Sequence, residues 1–150
     1  MTLLSETVIY KERVLPSILF YLATITLPVS LILVALPFSE IAAFGLAAIS
    51  IPIVFALTWV AAPLIAITST HLHVGKVSIE RIHLGSVGVI PTTDAFKERG
   101  YKLDSRAYTR FQIGVRELVK IEIKDQLDPT PYWLIATRNP EVIAALLNKR

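Results

Sequence analysis

Two long stretches near the start of the chain have no polar face. Residues 14–36 and 41–67 are apolar on every side of a helical projection, and between positions 14 and 69 the one charged residue is Glu40. The first stretch is 23 residues long. A helix of that length measures about 34 Å, enough to cross a hydrocarbon core of about 30 Å. The second is long enough to cross with some tilt. Pro37, Phe38, Ser39 and Glu40 alone separate them, which predicts an antiparallel hairpin. Ser39 is suited to cap the second helix, with Glu40 beside its positive end. A soluble helical hairpin needs a polar face. A cleaved signal peptide has an apolar region of only about 7–15 residues. The pattern therefore predicts two membrane spans, 14–36 and 41–67, joined by an extracytoplasmic loop, 37–40. Pro16 falls in a first turn, whereas Pro28 and Pro52 lie mid-span and are expected to kink their helices.

After the second run the period drops to two. Residues 67–74 alternate apolar and polar positions, as a half-buried strand does. Gly75-Lys76 makes a turn, Val77, Ile79 and Ile82 suggest a second strand, and residues 87–90 a third. Thr93 or Asp94 is placed to cap a short helix over 95–99 that Gly100 stops. The pattern is weak from 101 to 114. It returns over 115–124, where Val119, Ile121 and Ile123 alternate with charged residues. Residues 125–129 carry turn chemistry, and residues 132–137 read as a strand rich in aromatic and branched side chains. Asn139-Pro140 marks a helix start, and Ile143, Leu146 and Leu147 form its apolar stripe. Of Tyr132 and Trp133, which alternate faces, Trp133 is expected inside, against that stripe. The fold class predicted is a membrane helical hairpin (spans 14–36 and 41–67) plus a small α+β domain, 68–150.

Charge orients the hairpin. Lys11 and Arg13 precede it, Lys76 and Arg81 follow it, and the loop has no basic residue. The positive-inside rule then makes segment 1–13 and domain 68–150 cytoplasmic, in a multi-pass protein of the cell membrane. Composition agrees with a membrane class: 53% of residues are hydrophobic and the mean hydropathy is +0.58. Neither span contains Asp, Glu, Lys, Arg or His, apart from Glu40 at the loop, which speaks against ion or proton transport by this chain alone. The absence of cysteine removes disulfides, thiolate nucleophiles and cysteine-ligated metals. A net charge of +3 is too small and too dispersed for a nucleic-acid binder.

Candidate chemistry is sparse. His71 and His73 share one strand face and His83 lies a hairpin away, so three imidazoles offer a conceivable zinc set. Two surface histidines on an exposed face explain the same spacing, and no metal or cofactor is assigned. Asp125 and Asp128 flank a turn, where aspartates bond their own backbone. No nucleophile elbow or Gly-rich phosphate loop is present. The remaining feature is a basic segment, Lys97, Arg99, Lys102, Arg106, Arg110 and Arg116, interleaved with Tyr101, Tyr108 and Phe111. It is a candidate surface for anionic lipid headgroups or a partner.

The run Asp128-Pro129-Thr130-Pro131-Tyr132-Trp133, continuing to Thr137-Arg138-Asn139-Pro140, is distinctive. It resembles the closing hairpin of an actinobacterial two-transmembrane family known only as a domain of unknown function, DUF3093. Tyr10-Lys11-Glu12-Arg13 resembles that family's start, Leu72-His73-Val74-Gly75 its first strand and turn, and residues 100–108 its middle segment. Where the family pattern has Trp after Arg110, this sequence has Phe111-Gln112. The resemblance implies a pleckstrin-homology-like C-terminal domain, a partly open β-barrel or sheet closed by a C-terminal helix. It implies no activity. The expectation is a non-catalytic, membrane-anchored binding or scaffolding module whose partners are membrane lipids and a membrane protein or a second copy. A membrane-bound hydrolase or transferase acting on lipid or cell-envelope substrates is the alternative.

Overall fold

The two apolar runs fold as helices, but shorter ones than their composition predicts. In the computed structural model, which describes residues 7–125 and 127–149, helices α1 (Ile18–Thr24), α2 (Thr26–Ala35) and α3 (Glu40–Ala61) form a unit of their own, Leu15–Ala62. Ser17 caps α1, accepting from the Phe20 amide, and Ser39 caps α3, accepting from that of Ala42. The first run breaks at Ile25. Pro28 has no N–H for the Thr24 carbonyl and its ring crowds that carbonyl. The Ile25 N–H turns instead to Leu22 O at 3.2 Å. The hydroxyls of Thr24, Thr26 and Ser30 donate to backbone carbonyls three or four residues back. Pro52, also expected to kink its helix, lies inside an uninterrupted α3. The buried side chains of α3 are small, Ala43, Ala47 and Ser50, and let α2 approach closely. Tyr21 stacks on Phe55 with ring centres 5.1 Å apart and bonds Thr58 at 3.3 Å.

The second apolar run does not continue as helix to residue 67. Pro63 stops it: Ala62, the residue before, is extended with ψ 124°, as pre-proline residues prefer. Leu64–Thr68 becomes strand β2. Its partner is equally unannounced, because Val8–Arg13, expected only as a cytoplasmic segment, is strand β1. β1 pairs antiparallel with β2, with Glu12 opposite Ile65. A turn at Ser69-Thr70 divides what reads as one strand over 67–74. Thr68 Oγ1 accepts the His71 N–H at 2.9 Å there, and the chain doubles back as β3 (His71–Val74) and β4 (Val77–Glu80). The first sheet has the order β1-β2-β3-β4.

A 3-10 turn, Arg81–His83, leads to β5 (Leu84–Ile90), α4 (Ala95–Arg99), β6 (Tyr108–Arg110), β7 (Leu118–Ile123), β8 (Tyr132–Ala136) and α5 (Pro140–Asn148). The second sheet has the order β5-β7-β8-β6, and β6 runs parallel to β8. The two sheets share no paired strand, so the described residues form no closed barrel. β8 is an inner strand with every residue buried. Both aromatics are therefore inside, Trp133 at 3% exposure and Tyr132 at 8%, because each face of this strand is covered. Trp133 meets Tyr108, ring centres 4.8 Å apart. On the other face the Tyr132 hydroxyl accepts the Asp104 N–H at 2.9 Å, under the segment that follows α4. Helix α5 lies against β5 and β7, and its Ile143 and Leu147 share one core with Trp133. One core joins Ile65, Ile67, Leu72 and Val74 of the first sheet to Ile121, Leu134 and Ile135 of the second and to Ile143 and Leu147 of α5.

Candidate functional site

The two ends of the α+β unit are tied together by side chains the sequence pattern leaves inconspicuous. Glu12, in β1, is the hub. Its carboxylate accepts from Thr137 Oγ1 at 2.6 Å, from the Arg138 N–H at 2.9 Å and from the Tyr10 hydroxyl at 2.8 Å. Asn139 donates its side-chain amide to that same hydroxyl at 3.2 Å. Partial burial, and then the bond to Glu12, push the Tyr10 phenol up to about 12. Asn139 does not cap α5 with its side chain, as its place before Pro140 suggests; its N–H is held by Thr137 Oγ1 at 3.1 Å. The family-like residues Thr137 and Arg138 thus form the seat for β1, Thr137 wholly buried there, and Pro140 opens α5.

Where the chain leaves the unit, Val14 is fully buried and its N–H donates to Pro63 O at 2.9 Å. Exit and re-entry are therefore adjacent. Two loops flank them. Gln112 donates its side-chain amide to Val14 O at 2.7 Å, and Gly75, in the β3–β4 turn at φ +63°, donates its N–H to Leu64 O at 2.8 Å. Arg110 projects beside Gly75: a Cβ added there would lie 3.8 Å from Arg110 Nε.

The six basic residues expected to form one surface divide into three kinds. Lys97, Lys102 and Arg106 pair with acids of their own segment: Lys97 with Asp94 at 2.9 Å, Lys102 with Glu98 at 3.5 Å, and Arg106 with Asp104 at 3.2 Å. Hydrogen bonds from Lys97 and Arg106 hold the Asp94 and Asp104 carboxyls below the usual range. Exposed pairs of this type contribute little to stability, but they lower the net charge a lipid surface would meet. Arg99 is half-buried. Its guanidinium lies over Phe111, 5.0 Å from the ring centre, and donates to Val115 O. Burial lowers its pKa, and its Nε is buried without a hydrogen-bond partner among the described residues. Phe111 thus supplies the aromatic face under this arginine. Arg110 and Arg116 are exposed and make no ion pair among the described residues.

Of the family-like motif, Asp128 accepts the Thr130 N–H at 2.8 Å, and Thr130, through its side chain first and its backbone second, lowers the Asp128 pKa; Asp125, just before the motif, accepts the Leu127 N–H at 2.9 Å. The two aspartates shape the β7–β8 turn, and Pro129 and Pro131 lead out of it into β8. His71 and His73 are stacked with ring centres 5.8 Å apart, while His83 lies in the 3-10 turn. Among the described residues no three His, Asp or Glu side chains group to hold a metal. A depression of about 340 Å³ is lined by Ser69, Arg81, Ile82, Leu147 and Lys149. Arg81 uses its guanidinium there on carbonyls, bonding Leu146 O at 2.8 Å and Thr68 O at 3.4 Å. It closes the C-terminal end of α5.

These features define an α+β protein with an apolar helical hairpin inserted between its first two strands. The chain belongs to the family described as protein of unknown function (DUF3093), whose model matches residues 9–147. That range begins in β1 and ends in α5, so it includes both sides of the Glu12–Thr137 contact. A search of curated proteins and a search of solved structures gave no match.

Proposed function

We propose that this protein is a membrane-anchored, non-catalytic binding or scaffolding module, held on the cytoplasmic surface of an actinobacterial plasma membrane by a two-span hairpin. The observation that carries this reading is the Val14–Pro63 closure. The α+β unit draws strands from both flanks of the hairpin, and Val14 bonds Pro63 where they meet, so a hairpin that crosses a membrane leaves both flanks in one folded unit on a single side. Both helical stretches are long and apolar enough to cross. Most of their large side chains are exposed, with Ile41 at 88% and Val60 at 80%. An apolar surface of that extent is foreign to a soluble monomer. The basic flanks support a cytoplasmic orientation. Strands followed by a C-terminal helix support a pleckstrin-homology-like reading of the unit.

The partner class is an anionic lipid surface or another membrane protein. Reporter fusions after Lys149 and at Ser39 test the topology: the first should report the cytoplasm and the second the opposite side. Crosslinking in native membranes should then recover a stoichiometric lipid or membrane-protein adduct. Turnover of lipid or cell-envelope substrates by the purified protein, lost on substitution of His71, His73, Asp125 or Asp128, would replace this reading with a hydrolase or transferase.

A further inference from the structure

We propose that the rim around Val14 and Pro63 is a membrane-interface contact, in which Ile113 enters the boundary between headgroups and acyl chains while Lys76, Arg110 and Arg116 engage lipid phosphates. The inference rests on the membrane-spanning reading and narrows the contact to one face of the α+β unit.

The loop carrying Ile113 is fixed at both shoulders. Phe111 lies under Arg99, and Val115, 1% exposed, gives its carbonyl to the same arginine. Gln112 bonds Val14 O and also accepts the Ile113 N–H at 3.0 Å, so the loop is tied to the exit point itself. Gly114, at φ +73°, supplies the left-handed turn that brings the chain back. Between these anchors Ile113 stands 60% exposed. Ile113 is thus a large apolar side chain in the open, held through Gln112 to Val14, the last residue before the apolar hairpin.

The charges around it suit that surface. Lys76 is in the turn bonded to Leu64, Arg110 lies beside that turn, and Arg116 follows the Ile113 loop. All three are exposed and form no ion pair among the described residues. Of the remaining segment cations, Lys97, Lys102 and Arg106 pair with Asp94, Glu98 and Asp104, and half-buried Arg99 is spent on Phe111 and the Val115 carbonyl. Apolar insertion combined with basic phosphate contacts is the usual chemistry of interfacial anchoring. Each arginine near an anionic leaflet favours the docked arrangement about five-fold.

The absence of native cysteine makes site-specific labelling clean. Full-length Ile113→Cys, Leu127→Cys and Leu33→Cys proteins, each carrying one environment-sensitive dye, are reconstituted into vesicles of phosphatidylcholine with or without phosphatidylglycerol. Leu127, at the far end of the β7–β8 hairpin, is the aqueous reference, and Leu33 reports the hairpin. In anionic vesicles the dyes at 33 and 113 should be quenched by nitroxide lipids, and the dye at 113 should resist iodide far better than that at 127. Arg110→Glu with Arg116→Glu should abolish that protection while Trp133 emission, a reporter of the folded unit, stays unchanged. A dye at 33 that nitroxide lipids fail to quench overturns the spanning reading. A quenched dye at 33 with an iodide-accessible dye at 113 overturns this inference alone. Protection at 113 without nitroxide quenching shows a second copy covering the loop, and protection that survives the double substitution removes the phosphate contact; each also rejects the proposal.

Discussion

The protein's two tryptophans mark two opposite ways of housing apolar side chains. Trp133 lies in an inner strand at 3% exposure, while Trp59 lies on α3 at 56%. Around Trp133 each large apolar residue meets others: Ile121 pairs across the ladder and Tyr108 packs on the ring. In the hairpin the order is reversed. Its buried α3 positions are small, and its Leu, Ile, Val and Phe side chains lie largely on the outside. The α+β unit gains stability by removing apolar area from water. The hairpin gains little that way and depends on close backbone approach and on hydroxyls that return to their own helix. The difference teaches that similar residues are turned toward one another in one unit and left largely on the outside in the other.

The largest test of this contrast is substitution of each tryptophan. Trp133→Ala should destabilise the α+β unit by about 3–5 kcal/mol, read by denaturant unfolding in mild detergent. Trp59→Ala should leave that transition unmoved. Equal losses would show the two regions to be one cooperative body. Next in size is Glu12→Ala, which removes the acceptor for three donors. Hydrogen bonds to a charged group contribute about 1.5–3 kcal/mol each way of counting, so a loss near the lower end is expected for this half-buried site. A double-mutant cycle with Thr137→Val should show positive coupling, and additive losses would mean that the 2.6 Å contact does not hold β1 in place.

In the hairpin, Ala43→Leu should cost about 1–3 kcal/mol by separating α2 from α3. Titration with a denaturing detergent would measure it, and Trp133 emission should not change. The smallest effect concerns pH. Tyr10 is raised to about 12 in the folded unit from an ordinary value of 10.0, so the fold favours the neutral phenol. Its contribution is fully present below about pH 10 and is lost as pH rises toward 12. Tyr10→Phe should flatten that alkaline decline. Tyrosinate absorbance in the parent protein that rises fully by pH 10 would contradict it.

Much of this architecture can be read from local pattern. The loss of any polar face over two long runs, the Ser39 cap, the alternation over Val119, Ile121 and Ile123, and the stripe of Ile143, Leu146 and Leu147 each lie within one segment, so the sequence by itself determined the hairpin, the β7–β8 ribbon and the closing helix. What it concealed depends on partners far along the chain. β1 is charged and unremarkable until it pairs with β2, across the whole hairpin. Leu64–Thr68 extends an apolar run that suits helix or strand equally, and only Pro63 and two flanking strands decide it. β6 has no periodicity of its own and exists because β8 offers it a parallel edge. Glu12 reads as one more exposed charge, yet Thr137 and Arg138, more than a hundred positions later, make it a hub. The six basic residues look equivalent in sequence; the tertiary structure folds Arg99 over Phe111, pairs Lys97, Lys102 and Arg106, and leaves Arg110 and Arg116 exposed. Periodicity records which solvent a segment faces, whereas strand pairing and side-chain contacts depend on distances that only the folded chain brings within reach.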